Sequence, residues 1–272
     1  MDKPTYNVQH PAIMATPWFM LSVLGLYLVV VTHLGPNFML FRKPYELKKL
    51  IIVHNIVQVV SCIFVVYEIL HITEFTILYF WRCSVVEETP ERMARHFRLA
   101  YFLFWLKLSE LIETVIFVMR QKQNQVTKLH VFHHISTVTL IYMLINHNHK
   151  NGCDALFPIL LNSNVHIIMY TYYLVAAVAD KRTVRALMPV KKSITVLQMV
   201  QFILILIHAI LVSVNCGVEK AIFIYFIFVI GLMFYGFYDF YRKSYQSSKR
   251  RKSSIAVAVV AAAAEAAEVK LQ

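Results

Sequence analysis

Glycine is scarce in this chain, with 6 in 272 residues, and proline is little commoner at 8. That scarcity argues against a transporter built from helices broken at glycine or proline in two matched halves. No stretch repeats another closely enough to claim internal duplication. Charge is also thin: 15% of residues are charged and 58% are hydrophobic, which excludes an ordinary soluble domain and leaves a membrane protein. No N-x-S/T acceptor occurs, so glycosylation offers no check on topology. Of the 4 cysteines, Cys62 falls mid-span and reads as a small packing residue. Cys83, Cys153 and Cys216 fall in loops on the non-cytosolic side, where an oxidising compartment permits pairing, and spacing leaves the pair open.

What the chain does have is long apolar runs. A crossing helix takes roughly 20 mostly apolar residues, and lipid offers no partner to backbone groups left outside a helix. Seven stretches qualify: 18–35, 50–71, 98–119, 129–147, 154–178, 194–215 and 220–241. The expected fold class is therefore an all-α integral membrane protein with seven transmembrane helices. Residues 1–17 form a luminal N-terminal segment, 18–241 the membrane domain and 242–272 a tail. Thr16-Pro17-Trp18 opens the first span and Gly35-Pro36 closes it, with no charged–apolar–small cleavage pattern, so this segment reads as a retained helix. The tail is a basic run, SSKRRKSS, followed by an alanine-rich end, and reads as disordered or weakly helical.

Basic residues orient the spans. Arg42, Lys43, Lys48 and Lys49, then Arg120, Lys122 and Lys128, then Lys181, Arg182, Arg185, Lys191 and Lys192, and finally the tail bases all fall on one side if there are seven spans. Lys3, Arg82, Arg92, Arg95, Arg98, Lys150 and Lys220 fall on the other. The expectation is a luminal N-terminus and a cytosolic C-terminus. The net charge of +12 then follows from topology and from affinity for the anionic headgroups of a bilayer; no nucleic acid is needed to explain it.

Three spans carry groups that hydrocarbon should reject. FLFWLKLSELIETVIFVM puts Lys107, Glu110 and Glu113 in the third span. Each lone charge costs about 2.5–3.5 kcal/mol at mid-bilayer, so three unpaired would approach a domain's whole stability, on the order of 9 kcal/mol. They must pair or line a wet cavity, and the i, i+3 spacing of Lys107, Glu110 and Glu113, with Thr114 at i+4 from Glu110, puts them on one polar face. The fourth span opens on LHVFHHIS, with His130, His133 and His134 at i, i+3 and i+4, again one face. Gln125 and Thr127 precede it. In the fifth, Asn162, His166, Tyr170 and Tyr173 share a face. Thr195, Gln198 and Gln201 form a stripe on the sixth, where helix–helix hydrogen bonding is an equal account. His54, Gln58, His71 and His208 stand singly and read as satisfied core residues.

Two chemistries suit the histidines. His130, His134 and His166 could supply three ligands to a zinc ion. Membrane di-iron enzymes also use HxxHH, but in several boxes, and among 12 histidines there is one such box. Alternatively, a neutral imidazole kept unprotonated by a low-dielectric site is a nucleophile or base, its tautomer fixed by Glu110 or Glu113. Spacing alone leaves both readings open. A seven-helix receptor would need neither the charges nor the histidine cluster.

KLSELIET (107–114), QVTKLHVFHH (125–134), NSNVHIIMYTYY (162–173) and TVLQMVQF (195–202) resemble, in order and spacing, the motifs of the very-long-chain fatty acid elongases, as do LGPNFMLFRKPYELKK (34–49) and ERMARHFRLAYF (91–102). The resemblance covers about residues 15–245. It implies a multi-pass protein of the endoplasmic reticulum membrane. Six of its helices would enclose a narrow substrate tunnel, with the first helix peripheral. The implied activity is that of an acyltransferase, a 3-oxoacyl-CoA synthase. It joins long-chain acyl-CoA to malonyl-CoA with loss of carbon dioxide, without metal or other cofactor, toward very-long-chain fatty acids and sphingolipid precursors. The resemblance makes His133 the acyl-accepting nucleophile, His166 its facing partner in decarboxylation or binding, and His130 and His134 orienting groups. Lys107, Glu110, Glu113, Asn162, Tyr170 and Gln198 would line the substrate site. It also selects Cys83 with Cys216 as the luminal disulfide. It points to the 3-oxoacyl-CoA reductase, the dehydratase and the enoyl-CoA reductase of the cycle as partners, and leaves a homodimer open. The polyanionic CoA head would meet Lys128, Lys181, Arg182, Lys191 and Lys192 at the cytosolic mouth, and the depth of an apolar slot would set product length at roughly 0.8 kcal/mol per buried methylene. Two departures stand out. Glu113 replaces the family's usual Asp, and ISTVTLIYM after the box is plainer than the aromatic sequence usual there. No dilysine retrieval signal ends the chain.

Overall fold

The computed structural model describes residues 16–76, 80–81, 90–146, 155–215 and 220–246. Among these there is no strand, and seven long helices follow one another: α1 (Trp18–Met39), α2 (Lys48–Ile72), α3 (Pro90–Met119), α4 (Lys128–Asn146), α5 (Leu156–Val178), then, after the short α6 (Lys181–Ala186), α7 (Met188–Asn215) and α8 (Lys220–Tyr241, continued by a π turn Arg242–Gln246). Four of them, α1, α2, α7 and α8, are long and apolar enough to cross a membrane. The three between carry the polar faces foreseen from sequence, and those residues lower their hydropathy. The paired cysteines expected at Cys83 and Cys216, with Cys153, lie outside the described residues, as do most of the N-terminal segment and the tail. Cys62 is a buried core residue with a free thiol.

Three boundaries differ from expectation. Helix α1 does not stop at Gly35-Pro36. Pro36 has no N–H, and its ring would crowd the carbonyl four residues back. The helix passes this point through a π turn, Val30–Leu34, in which the Gly35 N–H reaches the Val30 carbonyl, and it runs on to Met39. Helix α3 starts eight residues earlier than its apolar run, because Pro90 suits a first turn and Glu91 complements the positive end of the helix dipole. Helix α7 likewise starts at Met188, through polar residues.

The principal neighbours run α2–α3–α4–α8–α7–α5 and back to α2, a closed ring, and α1 packs outside it against α3 and, to a lesser extent, α4. Two apolar clusters hold it together. One joins Leu24 and Val31 of α1, Val65 and Ile69 of α2, Leu103 and Phe104 of α3, Val138 and Ile145 of α4 and Leu156 of α5. The other joins Leu140 of α4, Phe202 and Ile205 of α7 and Val229, Ile230 and Met233 of α8. The outward faces are just as apolar: Val53, Val57, Val60 and Phe64 on α2, and Ile203, Ile207 and Ile210 on α7, are exposed. A surface of this kind suits lipid, not water.

Both ends of the bundle are tied. At the start of α3, Arg95 pairs with Glu68 at 3.3 Å and Arg92 with Glu74, so two of the bases assigned to the non-cytosolic side have carboxylate partners. At the other end of α3, Gln121 takes a left-handed conformation (φ 53°). It closes the helix with Lys122 N–H on the Phe117 carbonyl at 2.8 Å and its own N–H on Val118 at 2.9 Å. Its side-chain amide then donates to the Met39 and Arg42 carbonyls, both at 2.8 Å, and clamps the end of α1 to α3.

Gly35 permits this close approach. A Cβ there would lie 2.7 Å from Val118 Cγ1 and 2.7 Å from the Val30 carbonyl oxygen. Gly35→Ala is expected to destabilise the protein by about 1–3 kcal/mol, read as a lower thermal midpoint of the purified chain. Gly25→Ala, where an added Cβ meets nothing within 4 Å, is expected to leave the midpoint unchanged or slightly raised.

Candidate active site

The polar faces of α3, α4 and α5 turn toward one another within the ring. On α3, Lys107 Nζ donates to Glu110 Oε1 at 2.8 Å and to Asn162 Oδ1 of α5 at 3.3 Å. Glu110 has no exposed surface and Lys107 is 7% exposed. Across from them, His166 Nδ1 stands 3.6 Å from Glu110 Oε1, close enough for electrostatic attraction but too long for a hydrogen bond. Lys107, Glu110, Asn162 and His166 are thus one contact group, joining two faces that helical spacing had defined separately.

Helix α4 begins under a side-chain cap, Thr127 Oγ1 accepting from the His130 N–H at 3.1 Å. The cap sets the first turn so that His130, His133 and His134 point inward together. His130 Nε2 lies 3.0 Å from Thr114 Oγ1 of α3 and 3.2 Å from His134 Nε2. His133 bridges the two groups. Its ring centroid is 5.4 Å from that of His134 and 6.3 Å from that of His166. Among the described residues, no hydrogen bond holds either His133 nitrogen.

The other residues singled out from sequence divide. Tyr170 is buried, with its ring edge-on to His166 at 5.5 Å and to His54 at 6.1 Å. Gln198 is half-buried, its amide meets Met169 Sδ at 3.5 Å, and among the described residues no hydrogen bond joins it to a histidine. Lys181 and Arg182 are exposed on α6. That helix is started by Asp180, whose carboxylate accepts from the Thr183 N–H at 3.1 Å. Hydrogen bonds from the Thr183 side chain and backbone hold its carboxyl below the ordinary range.

The fold adds groups that sequence reading left aside. Tyr27 of α1 places its hydroxyl 2.9 Å from Thr114 Oγ1. The available signal was a tyrosine at mid-span, since a buried phenol needs a polar partner. Gln58 is fully buried rather than fully satisfied: its amide donates to Ser109 Oγ at 3.0 Å, but its Oε1 has no partner, nor does His54 Nε2. His208, by contrast, is paired, with Nε2 2.9 Å from the Phe80 carbonyl oxygen and its ring stacked on Phe157.

One set of metal-type ligands lies close together. Glu113, His130 and His134 each offer an atom, all within 4.8 Å of one another. The trio inferred from spacing alone, which used His166, is not the one assembled, because His166 turns to Glu110.

The buried ion pair lends itself to a stability test. Lys107→Met leaves Glu110 without its cation and is expected to cost about 3–5 kcal/mol. The double variant Lys107→Met/Glu110→Gln is expected to recover part of that loss. Thermal midpoints of the wild type, Lys107→Met, Glu110→Gln and the double variant, and the coupling they give, check this.

Comparison with known proteins identifies the family. Residues 12–253 match the model of the family described as ELO: GNS1/SUR4 family. The human protein named very long chain fatty acid elongase 1 is 34% identical over 233 residues, covering 84% of this chain and 81% of that one. The rat protein named very long chain fatty acid elongase 7 is 34% identical over 232 residues, covering 84% and 80%. The Drosophila melanogaster protein named very long chain fatty acid elongase F is 34% identical over 223 residues, covering 81% and 85%. With the motif order, the all-helical fold and the family match in agreement, this chain belongs to the ELO: GNS1/SUR4 family.

Proposed function

We propose that this protein is a condensing enzyme of fatty acid elongation, joining a long-chain acyl-CoA to malonyl-CoA, and that His133 carries the acyl group between the two halves of the reaction. The observation that carries this reading is the state of His133. It lies on the inward face of α4, beside His134 and His166, with neither nitrogen engaged in a hydrogen bond among the described residues. A nucleophile needs a free lone pair and neighbours that can handle protons.

In the first half, a His133 nitrogen attacks the thioester carbonyl of acyl-CoA. The carbon–sulfur bond breaks, and the thiolate leaves with the proton shed by the ring's other nitrogen, giving a neutral acyl-imidazole and CoA. In the second, malonyl-CoA loses carbon dioxide, and the bonding pair remains on the α-carbon as an enolate. That carbon attacks the acyl-imidazole carbonyl. The carbon–nitrogen bond breaks, the ring takes up one proton from solvent to replace the one that left with CoA, and a 3-oxoacyl-CoA two carbons longer departs. His166, held toward Glu110, faces the second substrate, and Lys107 and Asn162 stabilise negative charge that develops on oxygen. Glu113, Tyr170 and Gln198 complete the lining.

The surroundings suit the substrates. The acyl tail lies along the apolar inner faces of the ring. Lys128, Lys181, Arg182, Lys191 and Lys192, all exposed, receive the CoA phosphates at one end. In this reading seven helices cross the endoplasmic reticulum membrane, with the N-terminus luminal and the C-terminus cytosolic. Residues 18–241 form the catalytic domain, and Cys83 pairs with Cys216. The reductases and the dehydratase of the cycle act on the product, and no metal or other cofactor takes part. A metal-dependent lipid oxidase is the alternative, and the family match does not favour it.

His133→Ala is expected to lower malonyl-CoA-dependent carbon dioxide release by at least about a thousandfold, with the thermal midpoint of the purified protein retained. Comparable turnover in that variant would remove His133 from this role. Stoichiometric iron or zinc, whose removal abolishes turnover, is the result the metal alternative requires.

A further inference from the structure

The geometry points to Tyr27, on the helix outside the ring, as a positioning residue that sets the proton arrangement of the histidine box through Thr114. This inference rests on the reading of those histidines as the reaction centre, and it concerns a residue that does not touch substrate.

Tyr27, Leu24, Met20 and Val31 form the buried stripe of α1, and this stripe belongs to the apolar cluster it shares with residues of α3 and α4. Tyr27 is 5% exposed and Thr114 wholly buried. From the phenol inward the contacts are continuous: 2.9 Å from Tyr27 OH to Thr114 Oγ1, 3.0 Å from Thr114 Oγ1 to His130 Nε2, and 3.2 Å from His130 Nε2 to His134 Nε2.

Donor counting sets the direction. A hydroxyl has one proton to give and lone pairs to receive with. A phenol is the better donor and the poorer acceptor beside an alkyl hydroxyl, so Tyr27 donates to Thr114. The Thr114 proton is then directed to His130 Nε2. That nitrogen must be an acceptor, which places the proton of neutral His130 on Nδ1. The single lone pair of that nitrogen is taken by the Thr114 proton, and His134 Nε2 packs beside it at 3.2 Å. His134 Nδ1 is buried without a hydrogen-bond partner. The ring of His133 packs edge-on against His134. One hydroxyl in the peripheral helix thereby fixes the tautomer of His130, the ring in contact with the neighbour of the acyl-accepting residue. This also accounts for a tyrosine buried at mid-span on a helix that otherwise only packs.

The test uses the full-length purified chain in lipid vesicles. Tyr27→Phe removes one oxygen and keeps the packing. It is expected to lower kcat about three- to tenfold, the worth of one hydrogen bond, with KM for both substrates within about twofold and an unchanged thermal midpoint. Thr114→Val is expected to lose at least as much, Thr114→Ser to recover most of that loss, and Tyr27→Phe/Thr114→Val to be no worse than Thr114→Val alone. With nitrogen-15 histidine, the His130 resonances, which distinguish the Nδ1–H from the Nε2–H form, are expected to move toward a mixture in Tyr27→Phe. Wild-type kcat together with wild-type His130 shifts in Tyr27→Phe overturns the proposal, as does a double variant whose losses multiply. If the wild-type protein performs no malonyl-CoA-dependent condensation, the elongation reading fails, while the nitrogen shifts still decide whether Tyr27 governs His130.

Discussion

A carboxylate with no exposed surface cannot stand alone among hydrocarbon. Glu110 is such a group, and the arrangement of the site follows from keeping it in company. Lys107, one turn earlier on the same helix, neutralises it at 2.8 Å. Asn162 accepts from the same ammonium across the ring, and His166 stands against the same carboxylate oxygen. Removing two charges from water costs several kcal/mol per ion, and only close geometry and added hydrogen bonds offset it. The pair therefore demands that α3 and α5 hold a fixed register. That register leaves His166 facing His133 on α4.

The ring arrangement explains how such a site persists in an apolar chain. Inner and outer faces are both greasy, so hydrophobic burial alone would not choose which face of a helix turns inward. Polar groups make that choice, because exposure to lipid would leave them without partners. Small features then set the spacing. Gly35 lets α1 close on α3, Gly236 of α8 leaves room for Leu129 of α4, and Gln121 clamps two helix ends with one amide. The peripheral helix is consequently held close enough to α3 for Tyr27 to reach Thr114.

Much of this was legible before any coordinates, for a physical reason. Residues three or four apart share a helix face, so the Lys107–Glu110 pair, the inward histidines and the Asn162–His166 row could be read directly from spacing. What could not be read was which face meets which across helices. Nothing in the local sequence says that Tyr27 of α1 reaches Thr114, that Gln58 pairs with Ser109, or that Glu113 rather than His166 joins His130 and His134. The passage of α1 through Pro36 was missed because the usual rule ends a helix there, and a π turn is the less common way past. Lys181 and Arg182 belong to a short, exposed helix. Their connection to the site was argued from charge, and charge carries no register.

The account turns on a covalent bond to one side chain. Purified protein incubated with a long-chain acyl-CoA and no malonyl-CoA, quenched rapidly and mapped by peptide mass spectrometry, reports that bond directly. The account predicts an acyl mass on His133 that reaches near one equivalent and disappears when malonyl-CoA is added, as 3-oxoacyl-CoA forms. Full turnover with no adduct on His133, or with the acyl group on a different residue, would contradict it.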